Sequence, residues 1–269
     1  MKRREFIFTA AAGVAALGAT SVAKAAGGGT AGRQVIEFRT YSFATEEKLK
    51  TFSDFAAKSL VPALGRAGVS PAGIFRLMKA DNAKLKLEAD SMDVLMLLPH
   101  ADAESALTLA NKLDADAEFA AAAKAVLGTP MKDPVYKRIE TQLLLAFPQC
   151  PKVEVPSKAE TRVLQLRIYE SHNEDKALRK VEMFNEGGEI VVFRRCGMNP
   201  VFFGESVAGT KMPNLHYMLG FDDQAALDAA WGKFMKDPDW IKLKADPKYA
   251  DTVSNITNWI LRPLPGSAI

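Results

Sequence analysis

The chain has 269 residues, of which 48% are hydrophobic and 25% are charged, a balance typical of a globular protein with a substantial core. Its formal net charge of +3 comes from residues 1–25, because the rest of the chain holds 31 basic and 31 acidic side chains. The near-zero net charge of residues 26–269 excludes the strongly basic surface of a nucleic-acid-binding protein. It also gives no reason to expect a membrane partner once residues 1–25 are removed.

The N-terminal segment predicts an export signal. Arg3 and Arg4 precede an Ala- and Gly-rich apolar run, and this order resembles the twin-arginine signals that export folded bacterial proteins. Small residues around the end of the run predict cleavage after Ala25. We therefore expect a signal peptide at 1–25, a flexible leader at 26–32, and a periplasmic or secreted mature protein. An uncleaved anchor is the alternative, since the apolar run is barely long enough to span a bilayer.

The mature sequence repeats one strand pattern. VIEFRTY at 35–41 and VLQLRIY at 163–169 both place an Arg and a Tyr two residues apart, on the same face of a predicted strand. A polar turn follows each copy, and then an amphipathic helix that begins near Glu46 in the first copy and near Glu174 in the second. One structural unit is therefore predicted to occur twice.

The two copies continue in parallel. Each first helix is predicted to end at a glycine, Gly68 or Gly197, with a proline three residues later. Each second helix is predicted to begin after an N-cap aspartate, Asp102 or Asp223. The remaining predicted strands are residues 73–77, 94–98, 142–147, 201–204, 216–219 and 258–261.

The element order β-α-β-β-α-β, found twice, predicts an α+β fold of two tandem ferredoxin-like units. We expect these units at 33–147 and 160–269, joined by a proline-rich linker at 148–159. Helices cover one face of each antiparallel sheet, so the bare faces are expected to cover each other and close one barrel within the chain.

The repeated strands supply the candidate site. Their apolar side chains alternate with a mixed set that contains the Arg and the Tyr, and we expect the apolar set to pack on the helices and the mixed set to face the space between the sheets. A buried arginine needs a partner. Either it pairs with carboxylates or backbone carbonyls of the protein at the end of the barrel, or it binds an anionic or carbonyl group of a ligand. The candidate ligand-binding residues are Glu37, Arg39, Tyr41, Gln165, Arg167, Tyr169 and His216.

The sequence offers little else for chemistry. No two of the three histidines have metal-ligand spacing, so no metal site is predicted. His216 is the best candidate for a haem ligand, but it also fits an ordinary strand histidine; no cofactor is predicted, and haem is kept as an alternative. Cys150 and Cys196 match no redox motif, and whether they pair is left open.

Several stretches resemble the NIPSNAP family. They are FRTY and GVSPAGIF in the first half, then LRIYESHNEDKALRKVEMF, CGMNPVFFGES and, as the most specific piece, DDQAALDAAWGKFMKDPDW. The resemblance covers about residues 33–264. The first half departs from the family pattern where Ala117-Glu118-Phe119 stands in the place of Pro238-Asp239-Trp240.

The resemblance implies a fold of the dimeric α+β barrel superfamily, and it implies no catalytic residues, because none are settled for the family. Relatives with this barrel include cofactor-free and haem-dependent monooxygenases, an analogy of fold alone. We therefore expect a small-molecule binding or interaction module with its cavity between the sheets, and keep a monooxygenase-like enzyme, cofactor-free or haem-dependent, as the alternative. Exposed sheet edges would also allow a homodimer.

Overall fold

The computed structural model of the protein describes residues 32–269, and the predicted signal peptide lies outside the described residues. We call residues 33–147 the N-terminal half and residues 160–269 the C-terminal half. The N-terminal half contains β1 (Val35–Ser42), α1 (Glu46–Phe55), α2 (Val61–Arg66), β2 (Gly73–Leu77), β3 (Asp93–His100), α3 (Ala103–Asp114), α4 (Ala117–Leu127) and β4 (Arg138–Ala146). The C-terminal half contains β5 (Val163–Glu170), α5 (Glu174–Asn185), α6 (Glu189–Arg195), β6 (Asn199–Ala208), β7 (Asn214–Phe221), α7 (Gln224–Phe234), α8 (Pro238–Lys244) and β8 (Asn255–Pro263).

The strands form one closed antiparallel barrel in a mixed α+β fold. Its strand order is β1-β3-β2-β8-β5-β7-β6-β4, so the N-terminal strands are arranged β4-β1-β3-β2 and the C-terminal strands β8-β5-β7-β6. The halves join at two seams. At one seam β2 pairs with β8, and at the other β4 pairs with β6. Every described strand therefore has two neighbours, which removes the free edges that suggested a homodimer; the oligomeric state stays a prediction.

Local sequence signals set where the helices begin and end. The side chains of Thr45, Asp102, Asn173 and Asp223 each accept a hydrogen bond from a backbone N–H in the first turn of α1, α3, α5 and α7. Such N-caps satisfy amides that have no partner within the helix. Gly68 and Gly197 adopt φ values of 83° and 85°, the left-handed conformation expected at a helix end. The predicted helix starts are confirmed, and so are the predicted glycines at the helix ends.

Each long helix predicted from the sequence is interrupted. A π-helical segment (Ala56–Leu60) joins α1 to α2, whereas α5 and α6 are separated at residues 186–188. Asp116 and Asp237 cap α4 and α8 as new helices, after the ends of α3 and α7.

Three hydrophobic clusters hold the fold together. Two of them lie between the helices and the outer face of the barrel, one in each half. The third fills the barrel interior with side chains from both halves, among them Phe38, Leu97, Leu166 and Met218. Because this interior is shared, burial of apolar surface couples the stability of one half to that of the other.

One end of the barrel is closed. Val153 and Val155 of the linker pack against the interior cluster, and so does Ile269 at the end of the chain. Backbone hydrogen bonds hold these segments in place, from Glu154 to Val201 over 2.8 Å and from Ala268 to Ala72 over 3.0 Å. The opposite end of the barrel remains open.

Two further expectations concern the described part of the chain. Cys150 and Cys196 are both buried and free, so no disulfide joins them, and burial raises the pKa of the Cys150 thiol to about 12. No helix within residues 32–269 is long and apolar enough to cross a membrane.

Candidate functional site

The two faces of β1 and β5 are reversed relative to the sequence prediction. Ile36 and Phe38 lie in the interior cluster, whereas Tyr41 packs in the cluster under the N-terminal helices. Likewise Leu166 points inward, and Tyr169 packs under the C-terminal helices. The prediction that the Arg-and-Tyr face lines the space between the sheets is therefore wrong. Both faces of these strands are buried, so their alternation could not show which face is which.

In the N-terminal half the predicted residues satisfy one another. Arg39 forms an ion pair with Glu37, through Nε to Oε1 and through Nη2 to Oε2 at 3.1 Å. Its Nη1 donates to the Tyr41 hydroxyl over 3.4 Å, and His100 Nε2 lies 3.1 Å from Glu37 Oε2. Burial alone would raise the pKa of Glu37, but hydrogen bonds with His100 and Arg39 outweigh it and hold that pKa below its ordinary value. This is a neutralised structural cluster.

In the C-terminal half the corresponding residues form a different arrangement. Gln165 accepts a hydrogen bond from the Trp231 indole N–H over 2.7 Å and donates one to Asn258 over 2.8 Å. The Arg167 guanidinium lies over the Tyr169 ring at 5.2 Å and over the Trp231 ring at 4.9 Å. The Arg39 and Arg167 groups thus belong to separate clusters outside the barrel and do not share one cavity.

His216 is the one predicted site residue that faces the barrel interior. It lies on β7, opposite Ile168 of β5, and is 5% exposed. Its ring meets Phe38 edge to face, with the ring centroids 6.2 Å apart. Because Phe38 belongs to β1, this contact joins the two halves inside the barrel.

A cavity of about 170 Å³ opens beside His216 at the open end of the barrel. We call it the barrel mouth. Its lining residues come from both halves and are Phe38, Thr40, Glu140, Thr141, Gln142, Ile168, Glu170, Thr210, Lys211, Asn214, His216, Thr257 and Trp259. The barrel mouth combines apolar and aromatic side chains with threonines, amides and charged groups, a mixture suited to a small ligand that carries a polar group.

The loop between β6 and β7 is fixed over the barrel mouth. Gln142 of β4 donates to Ser206 over 2.8 Å and accepts from the Thr210 backbone N–H over 3.0 Å, while Asn214 donates to the Thr210 carbonyl over 2.9 Å. Gly209 has φ 147°, and a Cβ there would lie 1.9 Å from Gln142 Oε1. The positive φ therefore favours glycine, and any larger residue would also have to displace the Gln142 side chain. The sequence prediction missed this loop, whose signal is the segment SVAGTKMPN at 206–214.

The environment of His216 fixes its protonation state. Burial lowers the pKa of this imidazole to about 3, so the ring is neutral at neutral pH. Its Nδ1 is buried and has no hydrogen-bond partner among the described residues. A buried polar atom without a partner costs about 1 to 3 kcal/mol.

The comparison with known families concerns the C-terminal half. Residues 164–268 match the model of the NIPSNAP family. The C-terminal half is a NIPSNAP domain. The match begins in β5 and includes His216, Arg167 and all of α7. It does not extend to the N-terminal half, where the resemblance noted in the sequence stays a prediction. No curated protein matches the sequence.

Some solved structures share the fold over most of this chain, and others over less than half of it. A candidate monooxygenase from Fusobacterium nucleatum aligns at a TM-score of 0.56 and 9% identity, over 86% of this chain and 93% of its own. A candidate monooxygenase from Lactobacillus acidophilus aligns at 0.53 and 10% identity, over 87% and 98%. A NIPSNAP family protein of unknown function from Agrobacterium tumefaciens aligns at 0.36 and 19% identity, over 40% and 94%. At such identities the likeness to the two larger structures shows a common fold.

The barrel mouth does not fit a haem. An engineered cavity of about 150 Å³ holds one benzene molecule, and a porphyrin is several times larger than the 170 Å³ found here. Among residues 32–269, His216 contributes the one imidazole in the lining of the cavity. Within residues 32–269 no group of three His, Cys, Asp or Glu side chains is placed to hold a metal ion. The barrel mouth is thus a small cavity that residues of both halves line.

Proposed function

We propose that this protein binds a small uncharged organic molecule in the barrel mouth. The observation that carries the proposal is a cavity that both halves build, with the neutral ring of His216 in its wall. A neutral imidazole can donate or accept a hydrogen bond. The ligand therefore needs one hydroxyl or carbonyl group directed at His216.

The size and walls of the barrel mouth narrow the ligand further. A volume of about 170 Å³ admits a single six-membered ring or a short branched chain. Phe38, Ile168 and Trp259 provide apolar contact, with the aromatic rings suited to the face or edge of another ring. Phenol has the size and the single polar group that these walls require, and it is a suitable probe.

The organisation of the chain supports one site per molecule. In our interpretation the halves are tandem ferredoxin-like units that form an intrachain dimeric α+β barrel, with the linker at 148–159. In such an arrangement the two units are free to diverge. The barrel mouth accordingly has His216 and Trp259 on the C-terminal side and Phe38 and Gln142 on the N-terminal side.

The N-terminal segment supports a location outside the cytoplasm. The Arg3-Arg4 pair, the apolar run and the cleavage motif that ends at Ala25 together support twin-arginine export to the periplasm or beyond. A secreted protein that binds a small molecule could hold that molecule or deliver it to another protein outside the cell. Edman sequencing of the protein from a periplasmic extract tests this part, with an N-terminus at Ala26 expected.

Phenol and toluene titrations test the ligand site. We expect His216→Leu to weaken phenol binding by about tenfold, because one buried hydrogen bond contributes roughly 1 kcal/mol or slightly more. Toluene lacks the hydroxyl and should bind both proteins with similar affinity. The control is His172→Leu, which removes an exposed histidine in the turn before α5 and should leave phenol binding unchanged. Equal phenol affinities for His216→Leu and the parent protein would contradict the proposal.

A monooxygenase-like reaction is the alternative function. Two proteins with the same fold carry that name, and a cofactor-free oxygenase needs a base that activates its substrate. An efficient general base has a pKa near the working pH, whereas the pKa of His216 is lowered to about 3. This favours binding over catalysis. Oxygen consumption with a phenolic substrate, abolished in His216→Leu, would reverse that preference.

A further inference from the structure

The two repeated arginines differ in their counter-ions. Arg39 is neutralised by Glu37, two positions before it on β1. At the equivalent position on β5 stands Gln165, and Arg167 has no carboxylate within ion-pair distance among the described residues. Arg167 Nε is buried and makes no hydrogen bond there. A largely buried guanidinium without a counter-ion is costly, so the site favours an anion from outside the chain.

The surroundings of Arg167 carry a net positive charge. The nearest buried carboxylate is Glu189, which is already bound to Lys180 at 2.8 Å. The Lys180 ammonium lies 5.4 Å from the centre of the Tyr169 ring, and the Arg167 guanidinium lies 5.2 Å from the same centre. Two cations therefore share one carboxylate in this part of the outer core, which strengthens the attraction for a negatively charged ligand.

Arg167 lines a pocket of about 560 Å³ on the outer face of β5 and β8. Trp231 and Leu227 of α7 form one wall, and residues 81–85 of the N-terminal half form another. Asp81 is occupied by Arg262, and Asp228 accepts a hydrogen bond from Gln224. The Gln165 side chain accepts a hydrogen bond from Trp231 and donates one to Asn258. Three charges that line this pocket have no ion-pair partner among the described residues, namely the Arg167 guanidinium, the Lys84 ammonium and the Asp228 carboxylate, and together they leave one positive charge.

We propose that this pocket, the Arg167 pocket, is a second binding site that takes a small organic monocarboxylate. The carboxylate would accept hydrogen bonds from the guanidinium, and the apolar body would pack between Trp231, Leu227 and Ile260. The site is separate from the barrel mouth, because Arg167 and His216 lie on opposite faces of the sheet.

Gln165→Glu is the decisive variant. It gives β5 the Glu-and-Arg pair already present on β1, and so supplies an internal counter-ion for Arg167. A glutamate can still accept from Trp231, and Asn258 can rotate its amide to donate. The folded protein should therefore become more stable while its need for an external anion disappears. A rise in melting temperature would show that any loss of binding is not a loss of folding.

Calorimetric titrations of the full chain with benzoate and with neutral benzamide test the site. We expect saturable benzoate binding, with an affinity at least about tenfold higher than that of benzamide and reduced at least about tenfold by Gln165→Glu, since charge-assisted hydrogen bonds contribute roughly 1.5 to 3 kcal/mol. The control Gln149→Glu adds the same charge at an exposed position and should change benzoate affinity by less than about twofold.

Three results would overturn the proposal. The first is an absence of saturable benzoate binding, and the second is equal affinity for benzoate and benzamide. The third is benzoate binding that survives Gln165→Glu but is lost in His216→Leu, which would place the anion in the barrel mouth. Phenol binding at His216 is measured independently, so either site can fail without the other.

Discussion

His216 makes the stability of the barrel depend on pH. An unfolded histidine titrates near 6.5, whereas burial lowers the pKa of His216 to about 3 in the folded protein. Between these values the unfolded state binds more protons, so stability is complete above pH 6.5 and falls as the pH drops toward 3. Protonation of His216 in the unfolded state is therefore one way in which acid destabilises the folded protein.

His216→Gln should remove that dependence. Between pH 7 and about pH 4.5 we expect the parent protein to lose about 2 to 3 kcal/mol more unfolding free energy than the variant, because each pH unit below 6.5 contributes roughly 1.4 kcal/mol. Urea unfolding at a series of pH values measures the difference. The Glu37 cluster is common to both proteins and cancels. Parallel stability profiles would show that His216 is not buried in the neutral form.

At the residue scale the sequence identified the important side chains but misplaced them. Repetition of Arg and Tyr singled out Arg39 and Arg167, and both are largely buried and in contact with other functional groups. Their orientation depends on which sheet face meets the helices, and an alternating strand buried on both sides does not encode that. The unpartnered Nδ1 of His216 depends on tertiary packing and left no pattern in the sequence.

At the scale of elements, the turn between β2 and β3 joins the halves. Asn82 donates to the Ile260 carbonyl over 2.8 Å and accepts from the Ile260 backbone N–H over 2.9 Å. Its side chain thus takes the place of a neighbouring strand beside β8. Arg262 of the same strand binds Asp81 through two hydrogen bonds, at 2.7 and 2.8 Å.

Asn82→Ala should therefore be clearly destabilising. It leaves two buried backbone groups of Ile260 without partners, so we expect a loss of about 2 kcal/mol or more in the free energy of unfolding. The matched control is Asn111→Ala, an exposed position in α3 where the change should stay within about 0.5 kcal/mol. Chemical denaturation measures both. Similar values for the two variants would contradict the bridging role of Asn82.

The elements differ in how far the sequence predicts them. Strand positions and helix starts follow from local patterns, such as period-two alternation and an N-cap at Asp102 or Asp223, and these were confirmed. The breaks between α5 and α6 and between α7 and α8 were not predicted, although Gly188 in the left-handed conformation and the N-cap Asp237 followed by Pro238 mark them locally. The role of Asn82 was also missed, since its partner is 178 residues away.

At the scale of the whole molecule, the shared interior predicts one cooperative unit. Phe38 and Leu97 from one half pack in the same cluster as Leu166 and Met218 from the other. Calorimetry should therefore give a single transition whose van't Hoff and calorimetric enthalpies agree. Leu166→Ala should lower stability by about 2 to 5 kcal/mol and keep the single transition. Two separate transitions would mean that the halves unfold independently.

The central claim is that the barrel mouth binds a small molecule through His216. The most direct measurement is a ¹H–¹⁵N NMR spectrum of the histidine side chains, recorded during a titration with phenol. The chain has three histidines, so each ring can be assigned by substitution. We predict that phenol shifts the ring nitrogen resonances of His216 saturably and leaves those of His100 and His172 in place. Unchanged His216 resonances at saturating phenol would contradict the account.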